Sequence, residues 1–488
     1  MQRSPDRATN SFPAEVTETH SSIVMLIGDR AWKIKKPVDL GFLDFTTLDA
    51  RRIACRRETE LNRRLAPDVY LGVADVVGPD GVVCEHAVVM KRMPGGRRLS
   101  ACLERNEDVG AALRVVAREV AALHDSHPTD PRWAYVGTTD HLAGLWDDGF
   151  TLMEDLCGEV FDQPRVRRAQ ELAQRYLSGR APLFEKRIDE GRIRDGHGDL
   201  QADDIFVLDD GPRVLDCLDF SDELRWGDVL LDVSFLAMDL ERLGRPDLGA
   251  RFLDWHREFA ADTWPRSLAH HYVAYRASVR ARVTGLRHVQ GDAGAAPRAR
   301  ELFDLMARHL DAGSVRVVVV GGLPGTGKST LAAALADPLQ AVVLRTDELR
   351  AGDCGRHDAF AEGRYAPAAV SATYETMLHQ ARALLSFGES VILDASWADP
   401  SYRILARDVA REAGADIVEF RCDVDPAVAR SRLRTRQARG ADASEATPEV
   451  ADAMAHHFAA WPEATHLRTD SPVAELVDEA LRRLRIGR

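Results

Sequence analysis

The sequence predicts two architectures in one chain: an α+β segment over residues 1–310 and an α/β, parallel-sheet, three-layer segment over 311–488. Three observations carry this. Between residues 21 and 80, short runs alternate apolar and polar positions (SSIVMLIG, RAWKIKK), the period of half-buried strands, and a helix is expected over 49–65. From Val109 to His124 the apolar spacing turns helical and stays so through most of 140–310, apart from a strand-rich patch at 205–220. After the polar stretch that ends in Asp311-Ala-Gly-Ser, the run VRVVVVGG opens strands at 315–322, 341–346, 390–395 and 416–422 that alternate with helices. That alternation belongs to a parallel sheet covered on both faces.

Length and composition narrow the classes. A chain of 488 residues holds about two to four domains. With 45% hydrophobic and 29% charged residues it has the balance of a globular protein with real cores. Met1–Asn10 is polar with no apolar run, which argues against a signal peptide. No uninterrupted apolar stretch approaches the ~18 residues a spanning helix needs. The seven cysteines are scattered without a Cys-x-x-Cys, so neither a disulfide framework nor a zinc site is expected. These features predict a cytoplasmic protein without membrane contact. The net charge of −13 argues against a nucleic-acid partner. Only six lysines, Lys33, Lys35, Lys36, Lys91, Lys186 and Lys328, stand against 58 arginines, so a retained lysine is expected where arginine does not fit.

The apolar strand at 315–322 runs directly into Gly322-Leu-Pro-Gly325-Thr-Gly327-Lys328-Ser329-Thr330 and then the helical LAAALA. This is the P-loop spacing in its strand–loop–helix context. Its glycines let backbone N–H groups converge on phosphate oxygens at a helix N-terminus. Lys328 is expected at the outer phosphates of ATP and the Ser329 hydroxyl on magnesium. Asp347 and Asp394 both close strands, at the carboxyl ends where open α/β sheets bind ligands. Asp347 suits a base for an attacking hydroxyl, and Arg350, one turn on, suits an anionic or polar acceptor. Asp394 is expected to serve magnesium's water shell or to steady Arg350. Arg430, Arg432, Arg434 and Arg436 crowd one helix, with Arg432 and Arg436 on one face, placed for a lid over the transferring phosphoryl group or for a solvated basic face. Over roughly 315–485 the chain resembles small P-loop kinases of the zeta-toxin and polynucleotide-kinase type, grouped with AAA-family ATPases. The resemblance implies Asp347 as base and lid arginines on ATP. Tyr365 and Tyr374, in the same pattern, receive no role.

A second constellation lies at Asp195-Gly-His197-Gly198-Asp199, Asp203-Asp204 and Val214-Leu-Asp216-Cys-Leu-Asp219. An Asp after a His-Gly turn, a possible metal ligand five residues on, and another Asp at a strand end supply what phosphoryl transfer needs. Over about 15–300 this resembles the aminoglycoside-phosphotransferase and protein-kinase-like fold, and implies a bilobal N-terminal domain. The resemblance implies Asp199 as catalytic, Asp204 and Asp216 as magnesium ligands, Lys33 as the phosphate lysine and Glu58 as its helix partner. Lys35 points the same way from an alternating strand and remains open. The family's usual Asn is Asp204 here, Cys217 replaces the usual Gly, and THSS at 19–22 is the only candidate for a loop over the nucleotide. Arg276 and Arg280 share a helical face that could bind an anion, with a solvated face the favoured expectation.

Together these readings predict a bifunctional kinase that uses ATP and Mg2+ to phosphorylate hydroxyl acceptors, with small molecules favoured as acceptors. The alternative is an ATP-dependent regulatory protein with a P-loop switch and a non-catalytic kinase-like domain. Nucleic-acid end binding is a third and weaker reading.

Overall fold

In a computed structural model, which describes residues 14–19, 21–39, 41, 44–350, 366–439 and 446–486, the alternating N-terminal runs form strands. These are β1 (Ala14–Glu18), β2 (Ser22–Ile27), β3 (Arg30–Lys35), β4 (Tyr70–Val77) and β5 (Val83–Lys91). They make one antiparallel sheet in the order β1-β2-β3-β5-β4. The helix Leu48–Asn62 starts at Thr47, whose hydroxyl accepts from Ala50 N at 3.1 Å, a standard N-cap. It buries Cys55 against Ala31, Val69, Tyr70 and Val88 of the sheet. The strand-rich patch resolves into two ribbons, β6 (Ile193–Asp195) with β9 (Trp226–Asp228) and β7 (Ile205–Leu208) with β8 (Gly211–Val214). The helix Val229–Arg242 follows, with twelve consecutive buried residues from Val229 to Leu240. A helix buried on all sides belongs inside a core, and its buried Asp232, Ser234 and Asp239 then need partners there.

From residue 316 the expected α/β order appears: β10 (Arg316–Gly321), β11 (Ala341–Arg345), β12 (Ser390–Asp394), β13 (Asp416–Asp423) and β14 (Thr465–Arg468). All neighbours pair parallel, in the order β11-β12-β10-β13-β14. β14 is a four-residue strand that hydropathy alone does not mark. On one side of this sheet, Val318, Val320, Ile392 and Phe420 pack against Leu331 and Leu335 of the helix Lys328–Leu339 and Leu476 of the helix Val473–Ile486.

The chain divides into two compact units that do not follow its linear order. The first contains the residues up to Gly137, with Arg187–Thr263 and Tyr275–Ala281. The second contains Thr138–Lys186, Trp264–Ala274 and everything from Arg282 on, so several helices that precede residue 310 group with the parallel sheet. Among the described residues no helix is long and apolar enough to cross a membrane.

Candidate functional site

In the first unit, β3 points Lys33 and Lys35 to the same side, two residues apart. The helix Leu48–Asn62 presents Glu58 to both. Lys33 Nζ lies 2.8 Å from Glu58 Oε1, and Lys35 Nζ lies 2.7 Å from Glu58 Oε2. Each lysine also has its own second carboxylate, Asp216 Oδ1 at 2.9 Å from Lys33 and Asp219 Oδ2 at 2.8 Å from Lys35. The sequence left these two lysines open, and their surroundings now separate them. Lys35 is 4% exposed, while Lys33 retains 17% exposure beside the 56% exposed carboxylate of Asp216. Burial works to neutralise both lysines, but Asp216 and Glu58 hold Lys33 well above its ordinary pKa, and Glu58 and Asp219 keep Lys35 raised. Burial likewise works to neutralise Glu58, and the two lysines outweigh it.

The loop carrying Asp199 hangs on Asp232, which sequence reasoning did not single out. His197 N and Gly198 N donate to its two oxygens at 2.9 and 2.8 Å, and His124 Nε2 lies 2.9 Å away. Burial opposes charge on Asp232, yet these bonds hold its carboxyl far below the usual range. His197 Nε2 also reaches Leu215 O at 3.0 Å, tying the loop to the Asp216 segment. Asp216 adopts φ +61°, a left-handed conformation costly for a residue other than glycine. Its N–H donates to the Tyr70 hydroxyl at 3.2 Å, and the next N–H, of Cys217, donates to Asn62 Oδ1 at 2.8 Å.

Asp199, Asp204 and Asp216 repel one another. Burial, then Asp216 and Asp199, push Asp204 well above the carboxylate range. Burial also raises Asp199, with Arg280, His197 and Arg276 pulling the other way. Among the described residues no three His, Cys, Asp or Glu side chains converge into a closed metal cage. Magnesium is commonly bound by one or two carboxylates plus phosphate oxygens and water, and this excess of negative charge fits it. Arg276 is not on a solvated face. It is 8% exposed, donates to Leu231 O at 3.1 Å and covers the Phe235 ring, while Arg280 offsets charge at Asp199.

In the second unit the loop Gly322–Gly327 joins β10 to the helix Lys328–Leu339 as expected, and Gly322, Gly325 and Gly327 all have positive φ. A Cβ on Gly325 would come within 2.7 Å of Ala429 O, so the loop packs directly on the arginine-bearing helix Pro426–Arg439. Two cavities meet at Lys328. One, of about 290 Å³, is lined by Gly325, Lys328, Ser329, Thr330, Arg432 and Arg436. The other, of about 300 Å³, is lined by Lys328, Asp347, Arg350, Tyr374, Asp399 and Tyr402. Every residue expected at the phosphates thus borders the first cavity or its loop, and the expected base and acceptor residues border the second. Arg432 NH2 donates to Thr469 O at 2.8 Å, which fixes it against the loop, since Thr469 Oγ1 donates to Thr326 O. Arg430 pairs instead with Asp452 at 3.2 Å. Tyr374 is buried and stacks on Tyr402 at 4.0 Å, with its hydroxyl accepting from Trp397 N at 3.0 Å. Tyr365 lies outside the described residues.

Asp394 departs from one expectation. It does not steady Arg350, which pairs with Asp347 at 3.6 Å. Its neighbour is Arg345, at 3.5 Å, whose NH2 also donates to Ser329 O at 3.1 Å. Arg345 directly precedes Thr346-Asp347, so a cation at the same strand end was visible in the sequence but passed over. Asp394 is 3% exposed, and its Oδ1 has no hydrogen-bond partner. Burial pushes its carboxyl up, while Lys328 and Ser329 pull it down. An orphaned oxygen beside the P-loop serine fits a hydrated magnesium ion.

Residues 317–461 match the family described as an AAA domain. Over 472 residues the chain is 41% identical to uncharacterized protein Rv2004c of Mycobacterium tuberculosis, covering 96% of this chain and 94% of that protein. The chain belongs to the family of this mycobacterial protein. Among solved structures, a choline/ethanolamine kinase family protein from Mesorhizobium loti is similar at 14% identity and TM-score 0.37, over 62% of this chain and 94% of that one. The Mycobacterium tuberculosis APS kinase CysC is similar at 26% identity and TM-score 0.28, over 35% of this chain and 98% of that one.

Proposed function

We propose that this chain is an ATP-dependent phosphotransferase with two sites, one in residues 1–310 and one in 311–488, each moving the γ-phosphoryl group of ATP to a hydroxyl of a small acceptor. The observation that carries the reading is the meeting of two cavities at Lys328 in the P-loop unit. A hydrolase needs room for water alone, whereas a second cavity of about 300 Å³ with a carboxylate and an arginine at its mouth suits an organic acceptor. In this reading Asp347 accepts the acceptor's proton, and Arg350 orients the acceptor. Lys328, with Arg432 and Arg436, offsets charge developing on the phosphoryl oxygens. Ser329 and Asp394 hold Mg2+, which when bound neutralises the bridging phosphates.

In the first unit Asp199 orients the acceptor hydroxyl, Lys33 grips the phosphates against Glu58, and Asp204 with Asp216 hold Mg2+. The bracing of the Asp199 loop by Asp232 and of the Asp216 segment by Tyr70 and Asn62 supports transfer, because positioning is most of what this chemistry asks of a protein. Labelled-ATP transfer over a panel of small hydroxyl compounds, run on wild type and on Asp199→Ala and Lys328→Ala, tests both sites. Each variant is expected to lose one set of phosphorylated products. ATP turnover undiminished in the double variant would sink the proposal.

The regulatory reading has two observations in its favour, the unusual carboxylate at Asp204 and the lack of a Gly-rich loop over the nucleotide in the sequence. Acceptor phosphorylation that persists in full-length Lys328→Ala and disappears on adding Asp199→Ala would exclude a non-catalytic first unit.

A further inference from the structure

Two arginines of the first unit act on Asp199 and, among the described residues, pair with no carboxylate. The turn Tyr275–Ala281 of the helix Arg266–Val289 belongs to that unit and carries Arg276 and Arg280, four residues apart on one face. Arg276 is anchored behind the Asp199 loop. Its Nε donates to Leu231 O at 3.1 Å, and the next residue, Asp232, takes the His197 and Gly198 amides of that loop. Its guanidinium carbon lies 4.9 Å from the centre of the Phe235 ring, so packing fixes the side chain as well.

Arg280 stands one turn further on and is half-buried. Burial raises the Asp199 carboxyl, and Arg280 leads the charges that pull it back, ahead of His197 and Arg276. Neither arginine ion-pairs with Asp199, which makes no hydrogen bond of its own among the described residues. A cation present only to neutralise that carboxylate would close on it, as Lys33 closes on Asp216 at 2.9 Å. Within the described residues Arg276 uses only its Nε and Arg280 uses none of its N–H donors. Two guanidinium forks with open donors match the oxygens of a carboxylate or phosphate group. An amino sugar or amino alcohol would instead set like charge against both.

We propose that the acceptor of the first site is a small hydroxyl compound bearing an anionic carboxylate or phosphate group, which Arg276 and Arg280 receive while its hydroxyl meets Asp199. The inference rests on the reading of the first unit as a phosphotransferase and names its substrate class. As the acceptor oxygen bonds to the γ-phosphorus, the bond to the β–γ bridging oxygen breaks. ADP leaves with that electron pair, and the hydroxyl proton passes to Asp199. The arginines hold the acceptor's other end and so choose which hydroxyl faces the phosphorus.

Labelled-ATP transfer by full-length Lys328→Ala, in which the P-loop site is expected to be silent, reads the first site alone. Glycerate and glycerol 3-phosphate are compared with glycerol, gluconate and glucose 6-phosphate with glucose, and choline and kanamycin serve as cations. The paired acids separate a carboxylate from a phosphate as the recognised group. An acid is expected to exceed its neutral counterpart about 10-fold or more in kcat/KM. Adding Arg280→Gln should erase that preference by raising the acid's KM, and Arg280→Lys should restore part of it. Equal losses for acid and neutral acceptors in Arg280→Gln would make the arginine merely structural and overturn the proposal. Transfer confined to neutral or cationic compounds overturns it too, and leaves the phosphotransferase reading standing. Where nothing is phosphorylated, melting with the same compounds in saturating Mg2+ and ADP decides. A saturating rise with an acid, absent in Arg280→Gln, upholds the anion site even where the transferase reading fails, and no rise overturns the proposal. Should Arg280→Gln fail to fold, the comparison of acids with neutral counterparts still decides.

Discussion

Lys35 Nζ donates to Asp219 Oδ2 at 2.8 Å, joining residues 184 positions apart. Through Glu58 this pair stands back to back with Lys33 and Asp216, so one buried glutamate serves two lysines in unlike surroundings. Lys33 faces the open end of the site and Lys35 the closed end. Arg57 reinforces the closed end by donating to Asp219 O at 2.7 Å.

The two lysines are therefore expected to fail differently. Lys33→Ala should cut acceptor phosphorylation at the first site roughly 10²-fold or more while leaving the fold intact. Lys35→Ala strips a buried partner from Glu58 and Asp219 and should cost about 3 kcal/mol in urea unfolding. Parallel denaturation and transfer assays check this, and a reversal of the two phenotypes would reassign the phosphate lysine.

Asp204 is expected to mark its metal through stability. Its charge is opposed by burial, Asp216 and Asp199, so a divalent cation relieves more strain in wild type than in Asp204→Asn. Magnesium should raise the wild-type melting temperature by several degrees, and metal-free Asp204→Asn should melt higher than metal-free wild type by ~1 kcal/mol of added stability. An unchanged metal-free midpoint would show that the carboxylate repulsion is already relieved.

Much of both sites was legible because their chemistry is local in sequence. Gly322–Thr330 is one contiguous loop, and Asp199, Asp204 and Asp216 lie within eighteen positions of one another. Three of the six lysines fall at the two sites, Lys33, Lys35 and Lys328, while Lys36 pairs with Glu18 and Lys186 covers the Phe387 ring. What escaped was long-range. Asp232 reads as one of three acids in a largely apolar helix until the His197 and Gly198 amides are seen on it. Thr469, which fixes Arg432, follows a strand too short to register in hydropathy. The grouping of Thr138–Lys186 with the parallel sheet depends on contacts such as Arg175 with Asp416, across 241 positions, which no local pattern encodes.

In the proposed reading, the second cavity of the P-loop unit would keep the acceptor apart from the nucleotide. Tyr402 stacks on the buried Tyr374 and borders that cavity, away from Arg432 and Arg436. Tyr402→Ala should raise the acceptor KM about 10-fold, the loss of roughly 1.4 kcal/mol of ring contact, with the KM for ATP unchanged. Initial-rate kinetics varying each substrate checks this. An effect on ATP alone would place the acceptor elsewhere.

Acid stability follows from buried imidazoles in both units. Burial pushes His256 and His271 each down to about 3, with neighbouring cations adding to the effect. A histidine unfolds to a pKa of about 6.5, so below that pH the unfolded chain binds a proton that the folded one refuses. The stabilisation is therefore complete above about pH 6.5 and is lost as pH falls toward 3. Each group contributes about 1.4 kcal/mol per pH unit across that window. Asp232, held below its ordinary range, adds a loss of its own only below about pH 4, where the unfolded carboxyl takes up a proton. Between pH 6 and 4.5 these histidines add a positive slope, against which the raised carboxyls of Asp199, Asp204 and Asp394 work with the opposite sign. His256→Gln should lower the net slope by about one proton's worth. Urea unfolding across that range measures the slope. If His256→Gln left it unaltered, His256 would have to be protonated in the folded chain, against its burial beside His124.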